Sequence, residues 1–154
     1  MGMTIRPLQR HDRDAVQAIL TACDAFSAVE VDVALEVLDA GFAGEYWLFG
    51  AEVGGILRGY VVVTPTPMTE STWHLYWICV HPAAQGQGLG QALQARVESF
   101  IRQRGGERIV LETSGRPGYE RQRRFYEAAG YREAGRIGDY YANGDDCVFY
   151  CKLL

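Results

Sequence analysis

The segment Val80-His81-Pro82-Ala83-Ala84-Gln85-Gly86-Gln87-Gly88-Leu89-Gly90 places three glycines within five residues, after an apolar run and before a helical pattern. Glycine inside regular structure costs roughly 0.5–1 kcal/mol relative to alanine, so such clustering marks a special backbone requirement. At a strand-to-helix junction that requirement has a chemical use. The first turn of a helix offers unpaired amide donors and the positive end of the macrodipole, and glycines remove the Cβ atoms that would hold an anion away. The same glycines also suit a tight turn that binds nothing. Two familiar phosphate loops are excluded. The spacing Gly86-x-Gly88-x-Gly90 is not the dinucleotide pattern G-x-G-x-x-G, and no Gly-Lys-Ser/Thr follows.

Cys23, Cys79, Cys147 and Cys151 are the other residues whose type invites chemistry. No two have the spacing of a zinc knuckle or a redox motif, so no metal is expected. Cys147 and Cys151 stand four apart in a strand-like segment, on one face but too far along it for an unstrained disulfide. All four are expected to be small buried hydrophobes in a reducing, cytoplasmic compartment.

The elements that must position these residues can be read from the pattern. The chain has 154 residues, enough for a single domain spanning 1–154 with one sizeable core, and its 48% hydrophobic and 22% charged content is ordinary for a globular protein. A net charge of −4 argues against a nucleic-acid partner. Apolar runs such as Tyr60-Val61-Val62-Val63 are too short to span a membrane, and the N-terminal residues lack the features of a secretory signal. Met3–Leu8 reads as an edge strand containing a proline, and Asp12 to about Ala25 as an amphipathic helix with Asp12 as N-cap. A weaker helix covers Val31–Ala40. Trp47–Val53 and Leu57–Thr66 read as a hairpin around Gly54-Gly55. Thr72–Val80 is a strand whose alternation puts Trp73, Leu75, Trp77 and Cys79 on one face. A helix runs from Leu89 to near Gly105-Gly106, Arg108–Thr113 is a buried strand, and Tyr119–Ala129 is a helix closed by Gly130. Tyr131–Ile137 and Cys147–Leu153 are the last strands, joined by the polar loop GDYYANGDD. The order predicts an α/β (α+β) layer fold.

Gln85-x-x-Gly88-x-Gly90 directly after a strand resembles the Q/R-x-x-G-x-G/A signature of the GNAT superfamily of acyl-CoA-dependent N-acyltransferases. The order of elements after it and the segment Phe125-Tyr126-Glu127-Ala128-Ala129-Gly130-Tyr131 extend the likeness, which runs from Ile5 through Lys152. The resemblance implies a mixed, mostly antiparallel twisted sheet of about seven strands with four helices. It also implies a splay between the central strands that end at Val80 and begin at Arg108. Acetyl-CoA is the implied co-substrate. Its pyrophosphate would be held by the amides of Gln85, Gly86, Gln87, Gly88, Leu89 and Gly90, with Gln91 next to them, and its pantetheine arm would lie along the backbone of Ile78, Cys79 and Val80. Seven positions before Tyr126, where the family often has Asn in contact with CoA, this chain has Tyr119. Arg116, Arg121, Arg123 and Arg124 stand nearby, either to meet phosphates or to form a solvated face.

Acyl transfer to an amine needs a neutral amine, a polarised thioester and a proton for the departing thiolate. The resemblance places Tyr126 as general acid, and a phenol with an ordinary pKa of about 10 carries its proton at neutral pH. A core aromatic is the plainer alternative. Glu112, His74 and Glu70 are candidates for the base. The expected function is acetyl transfer to a primary amine of a small-molecule or amino-acid-like acceptor, directly in a ternary complex. A protein N-terminal or lysine acetyltransferase and a non-catalytic acyl-CoA-binding module are the alternatives. Phe26, Glu30, Trp73, Tyr76, Trp77, Tyr140, Tyr141, Asp145 and Asp146 are candidates for the acceptor pocket, where acidic and aromatic groups would suit a cation. The last strand is a possible homodimer edge.

Overall fold

The apolar run Tyr60–Val63 is completely shielded from solvent, as a strand flanked on both edges and covered on both faces should be. In the computed structural model, which describes residues 2–154, it forms the centre of β3 (Ile56–Pro65). The remaining elements are β1 (Met3–Pro7), α1 (Arg13–Ala22), α2 (Ala28–Phe42), β2 (Trp47–Val53), β4 (Thr72–Val80), α3 (Leu89–Gln103), β5 (Arg108–Ser114), α4 (Glu120–Ala128), β6 (Arg132–Ala142) and β7 (Asp145–Leu153). The seven strands form one mixed sheet in the order β1-β2-β3-β4-β5-β7-β6. With its four helices this is the architecture that the sequence predicts.

The chain divides into two compact units. The first comprises the segment ending at Thr64 together with Leu75–Phe100. In it, β1 pairs antiparallel with β2 and β2 with β3. Gly54 and Gly55, at φ +60° and +79°, make the two-residue turn between β2 and β3, the conformation that type I′ hairpins demand. Val16, Ile19 and Leu20 of α1 join Ala34, Leu35 and Leu38 of α2 in an apolar cluster that covers Leu48, Tyr60, Val62 and Cys79. Ser27 caps α2 in a reciprocal box, accepting from the Glu30 amide at 3.2 Å while its own amide donates to Glu30 Oε1 at 3.3 Å.

Asp12 departs from expectation. It makes no side-chain cap on α1. Its buried carboxylate accepts from the Gln9 amide at 2.7 Å and from both terminal nitrogens of Arg6 at 2.8 and 2.9 Å. The Arg6 guanidinium, shared with Glu52, holds the Asp12 carboxyl below the usual carboxylate range. A bidentate arginine outcompetes the weaker cap. Helix α1 also ends earlier than its periodicity suggests, because Cys23 has extended backbone at ψ 112°. The strict alternation of β4 fails too. Trp77 and Cys79 pack on the α1/α2 cluster, yet Tyr76, next in line to Trp77, meets Tyr46 on that same cluster with ring centroids 5.1 Å apart.

The second unit comprises Pro65–His74 and Ile101–Leu154. Here β4 pairs parallel with β5 at three positions, Thr72–His74 against Arg108–Val110, and the ladder ends there. Strand β5 pairs antiparallel with β7 along its whole length, and β7 with β6. The polar stretch GDYYANGDD is not a loop: β6 continues to Ala142 and β7 begins at Asp145. Asn143-Gly144 is the whole connection, with Gly144 at φ +79°. Asn-Gly between paired strands is a strong hairpin signal, masked here by the polarity of a strand that is exposed on both faces.

Candidate active site

The first unit holds the glycine loop. A 3₁₀ turn at Pro82–Ala84 starts it, with His81 Nδ1 accepting from the Ala83 amide at 3.0 Å. The Gln85 side chain folds back and donates to the Val80 carbonyl at 3.2 Å, pinning the loop to the strand end. Gly86 and Gly88 adopt φ +78° and +85°, and no atom lies within 4 Å of where a Cβ would stand on either. The backbone there is both left-handed and bare. Ala92 makes the first bond of α3 that begins in the loop, donating to Gly88 O at 3.0 Å. The amides of Gly88, Leu89, Gly90 and Gln91 thus fall among the donors that a helix start leaves without a helical carbonyl. Leu89, buried to 2% exposure, anchors the turn in the core. A pyrophosphate fits this loop on all three counts: bare backbone, helix-start donors and a fixed anchor. Strand β4 behind it is held tightly, since a Cβ at Gly59 would lie 3.1 Å from Cys79 O and 3.3 Å from Leu93 Cδ1. The Val80 carbonyl is already taken by Gln85, and Ile78 is half-buried.

In the second unit, His74 and Glu112 come together. The parallel register sets His74 against Val110, and Glu112 follows two residues later on the same face. His74 Nε2 lies 2.7 Å from Glu112 Oε2, with the carboxylate side chain 34% exposed and the imidazole 17%. Phe149 stands directly opposite Glu112 on β7, and Cys147 opposite Ser114. Tyr140 meets the Phe149 ring at 6.4 Å, and the Tyr141 hydroxyl accepts from Cys147 Sγ at 3.6 Å. Burial first, then the Cys147 contact, pushes the Tyr141 phenol up, and the Glu112 charge adds to this. The carboxylate thus sits within an aromatic rim.

Tyr126 belongs to the other face. Its ring lies 5.7 Å from Tyr131 and 6.1 Å from Tyr150. Tyr150 pairs with Leu111, one residue out of phase with Glu112. Tyr126 is buried, and α4 closes behind it with Gly130 at φ +97°. Tyr119 precedes α4 in a 3₁₀ turn rather than starting it, and the Arg116 guanidinium stacks 5.3 Å from its ring centroid.

Several candidates are engaged elsewhere. Arg123 donates to the carbonyls of Ser114 and Arg116, both at 2.8 Å, Arg124 pairs with Glu120, and Arg116 pairs with Asp145 at 3.2 Å. Asp145 is buried and also binds the Ser114 hydroxyl. Asp146 accepts from the Asp139 amide, Glu30 serves its capping box, and Trp73 packs at Gly106. Phe26 and Trp77 do meet, at 5.2 Å, in the first unit. Glu70 lies on an exposed bend. No group of metal-ligating side chains occurs among the described residues, and no helix among them is long and apolar enough to cross a membrane.

Comparison with known proteins agrees with this geometry. The acetyltransferase (GNAT) family matches residues 14–131. An uncharacterized N-acetyltransferase of Methanocaldococcus jannaschii is 29% identical over 153 residues, covering 97% of this chain and 91% of its own. A probable N-acetyltransferase family 8 member from mouse is 31% identical over 99 residues, 62% of this chain, and the match spans only 42% of the mouse protein. The crystal structure of a GNAT-family acetyltransferase from Desulfovibrio desulfuricans superposes with a TM-score of 0.93 at 35% identity, covering 99% of both chains. With the signature loop, the seven-stranded sheet and the family match in agreement, this chain belongs to the GNAT family of acetyl-CoA-dependent N-acetyltransferases.

Proposed function

We propose that the protein acetylates the primary amine of a small-molecule or amino-acid-like acceptor by direct transfer, with the Glu112–His74 pair as base and Tyr126 as acid. The 2.7 Å contact between His74 Nε2 and Glu112 Oε2 carries this reading. Acetyl-CoA supplies the activated thioester when bound. The backbone amides from Gly86 to Gln91 would hold its pyrophosphate, and the stretch Ile78–Val80 would line its arm.

The chain's own residues account for the proton traffic. Glu112, the more exposed of the pair, takes a proton from the ammonium form of the acceptor, directly or through one water. His74 donates to the same carboxylate and fixes its orientation, so it acts as a positioning residue. Tyr140, Tyr141 and Phe149 bound the approach with aromatic faces that attract a cation before it is deprotonated. Tyr126, a phenol held in its rotamer by Tyr131 and Tyr150, gives its proton to the thiolate.

Thiol release from acetyl-CoA, followed across a panel of small amines, amino acids and short peptides, tests the reading. Small cationic amines should be turned over faster than peptides. Turnover of peptides alone would overturn the acceptor class, and undiminished turnover by Glu112→Gln would overturn the base.

A further inference from the structure

The sulfurs of Cys23 and Cys79 lie 3.2 Å apart, yet both cysteines are free thiols. Their surroundings differ. Cys23 follows the last turn of α1, is partly exposed, and leads into the connection to α2. Cys79 is 6% exposed within β4, inside the apolar cluster. A small oxidant therefore reaches Cys23 first. The contact between the two sulfurs lowers the Cys23 pKa, against burial and the Asp24 charge, and raises that of Cys79, to which burial adds. While Cys23 is protonated, its own hydrogen points to Val80 O at 3.7 Å.

We propose that Cys23 and Cys79 are a peroxide-responsive thiol pair that closes to a reversible disulfide. In the first step the Cys23 thiolate attacks one oxygen of hydrogen peroxide. The O–O bond breaks, leaving a sulfenic acid on Cys23 and, after protonation of the hydroxide, one water. In the second step the Cys79 sulfur attacks the Cys23 sulfur. The S–O bond breaks, the Cys79 proton leaves with the hydroxyl, and a second water forms. Two thiols supply the two electrons and two protons that turn one peroxide into two waters.

Closing the bond to about 2.05 Å asks the sulfurs to approach by about 1 Å. Cys79 is fixed within the sheet and the apolar cluster, and the space between Gly59 and the Cys79 carbonyl is too narrow even for a Cβ, which would lie 3.1 Å from it. Cys23 is the partly exposed C-cap of α1, its amide bonded to Leu20 O at 3.2 Å and its backbone extended at ψ 112°, so the approach falls to its end of the pair. The other two cysteines provide an internal control. On β7, Cys147 pairs with Ser114 and Cys151 with Val110, which separates them by about 13 Å along an extended strand.

The full-length protein treated with a few equivalents of hydrogen peroxide, blocked with N-ethylmaleimide and digested without reductant should yield a Cys23–Cys79 linked peptide. Cys147 and Cys151 should remain alkylated, and dithiothreitol should restore all four thiols. The oxidised protein should melt roughly 5 °C or more higher than the reduced one, because the bond closes a long loop. In Cys79→Ser, dimedone should trap the sulfenic acid on Cys23. Full alkylation of Cys23 after peroxide, over-oxidation of Cys23 without a cross-link, or a linkage through Cys147 or Cys151 would each overturn the proposal. The peptide map of the wild-type protein decides this even if Cys79→Ser fails to fold.

Discussion

The glycine loop of the first unit and the His74–Glu112 corner of the second work with opposite parts of the polypeptide. Around Gly86 and Gly88 the side chains have been removed, and the amides at the start of α3 are what the loop offers. Around Glu112 the backbone is paired with β7, the β4 ladder having ended at Val110, and what the corner offers is a pair of side chains. The difference teaches how the two kinds of site fail. A backbone site is damaged by adding atoms, whereas a side-chain site is damaged by removing a single functional group.

The sharpest way to break this comparison is Glu112→Gln, which keeps the shape and removes the base. It should lower kcat/KM by roughly 10²–10⁴-fold. Tyr126→Phe comes next, with kcat down by about 10²-fold and acetyl-CoA affinity from calorimetry unchanged. Gly88→Val should do the reverse. An L-residue at φ +85° carries about 1–2 kcal/mol of strain, and the KM for acetyl-CoA should rise about tenfold while kcat at saturation holds. If the loop variant lowered kcat alone, or the Glu112 variant moved only KM, the division would not stand. His74→Asn should give a smaller loss, about tenfold in kcat, as befits a group that orients the base.

A further prediction concerns stability. The Asp12 carboxyl is held below its ordinary range, first by its hydrogen bonds to Arg6. A depressed folded-state pKa gives stability that is complete above the unfolded value, about 3.9, and is lost as pH falls through the folded value. Urea midpoints of the wild type should therefore drop below about pH 4. Asp12→Asn should be destabilised by about 1–3 kcal/mol at neutral pH and show a flatter acid dependence.

The loop was legible because glycine spacing is local, and φ +78° and +85° bear out the special backbone need at Gly86 and Gly88. Glu112 and His74 were each legible as isolated candidates, but their contact was not. It depends on the parallel register that sets Thr72 against Arg108, across a helix and two turns, and nothing in either strand encodes that alignment. The Asp12 cap failed for the same reason, since the Arg6 guanidinium that it binds is set beside Glu52 by pairing of β1 with β2. The extension of β6 failed differently. An edge strand with no buried face has no apolar period to detect, and only Asn143-Gly144 announced the turn.

That bare strand has a colloidal consequence. β6 ends the sheet, is eleven residues long and is exposed throughout, and so offers unpaired backbone as a template for a stray chain. Asp139 interrupts the template. It sits at φ +53°, its amide bonded to Asp146 Oδ1 at 3.1 Å and its carboxylate accepting from the Gly144 amide at 2.8 Å, and the β6–β7 register slips between Ile137 and Ala142. At the opposite end of the sheet, β1 is five residues long and ends in Pro7. One border is short and capped by proline, the other long but bent and studded with Arg132, Glu133 and Arg136. Neither gives an intruding strand a straight run, and concentrated solutions of the protein should stay clear for as long as Asp139 keeps its kink.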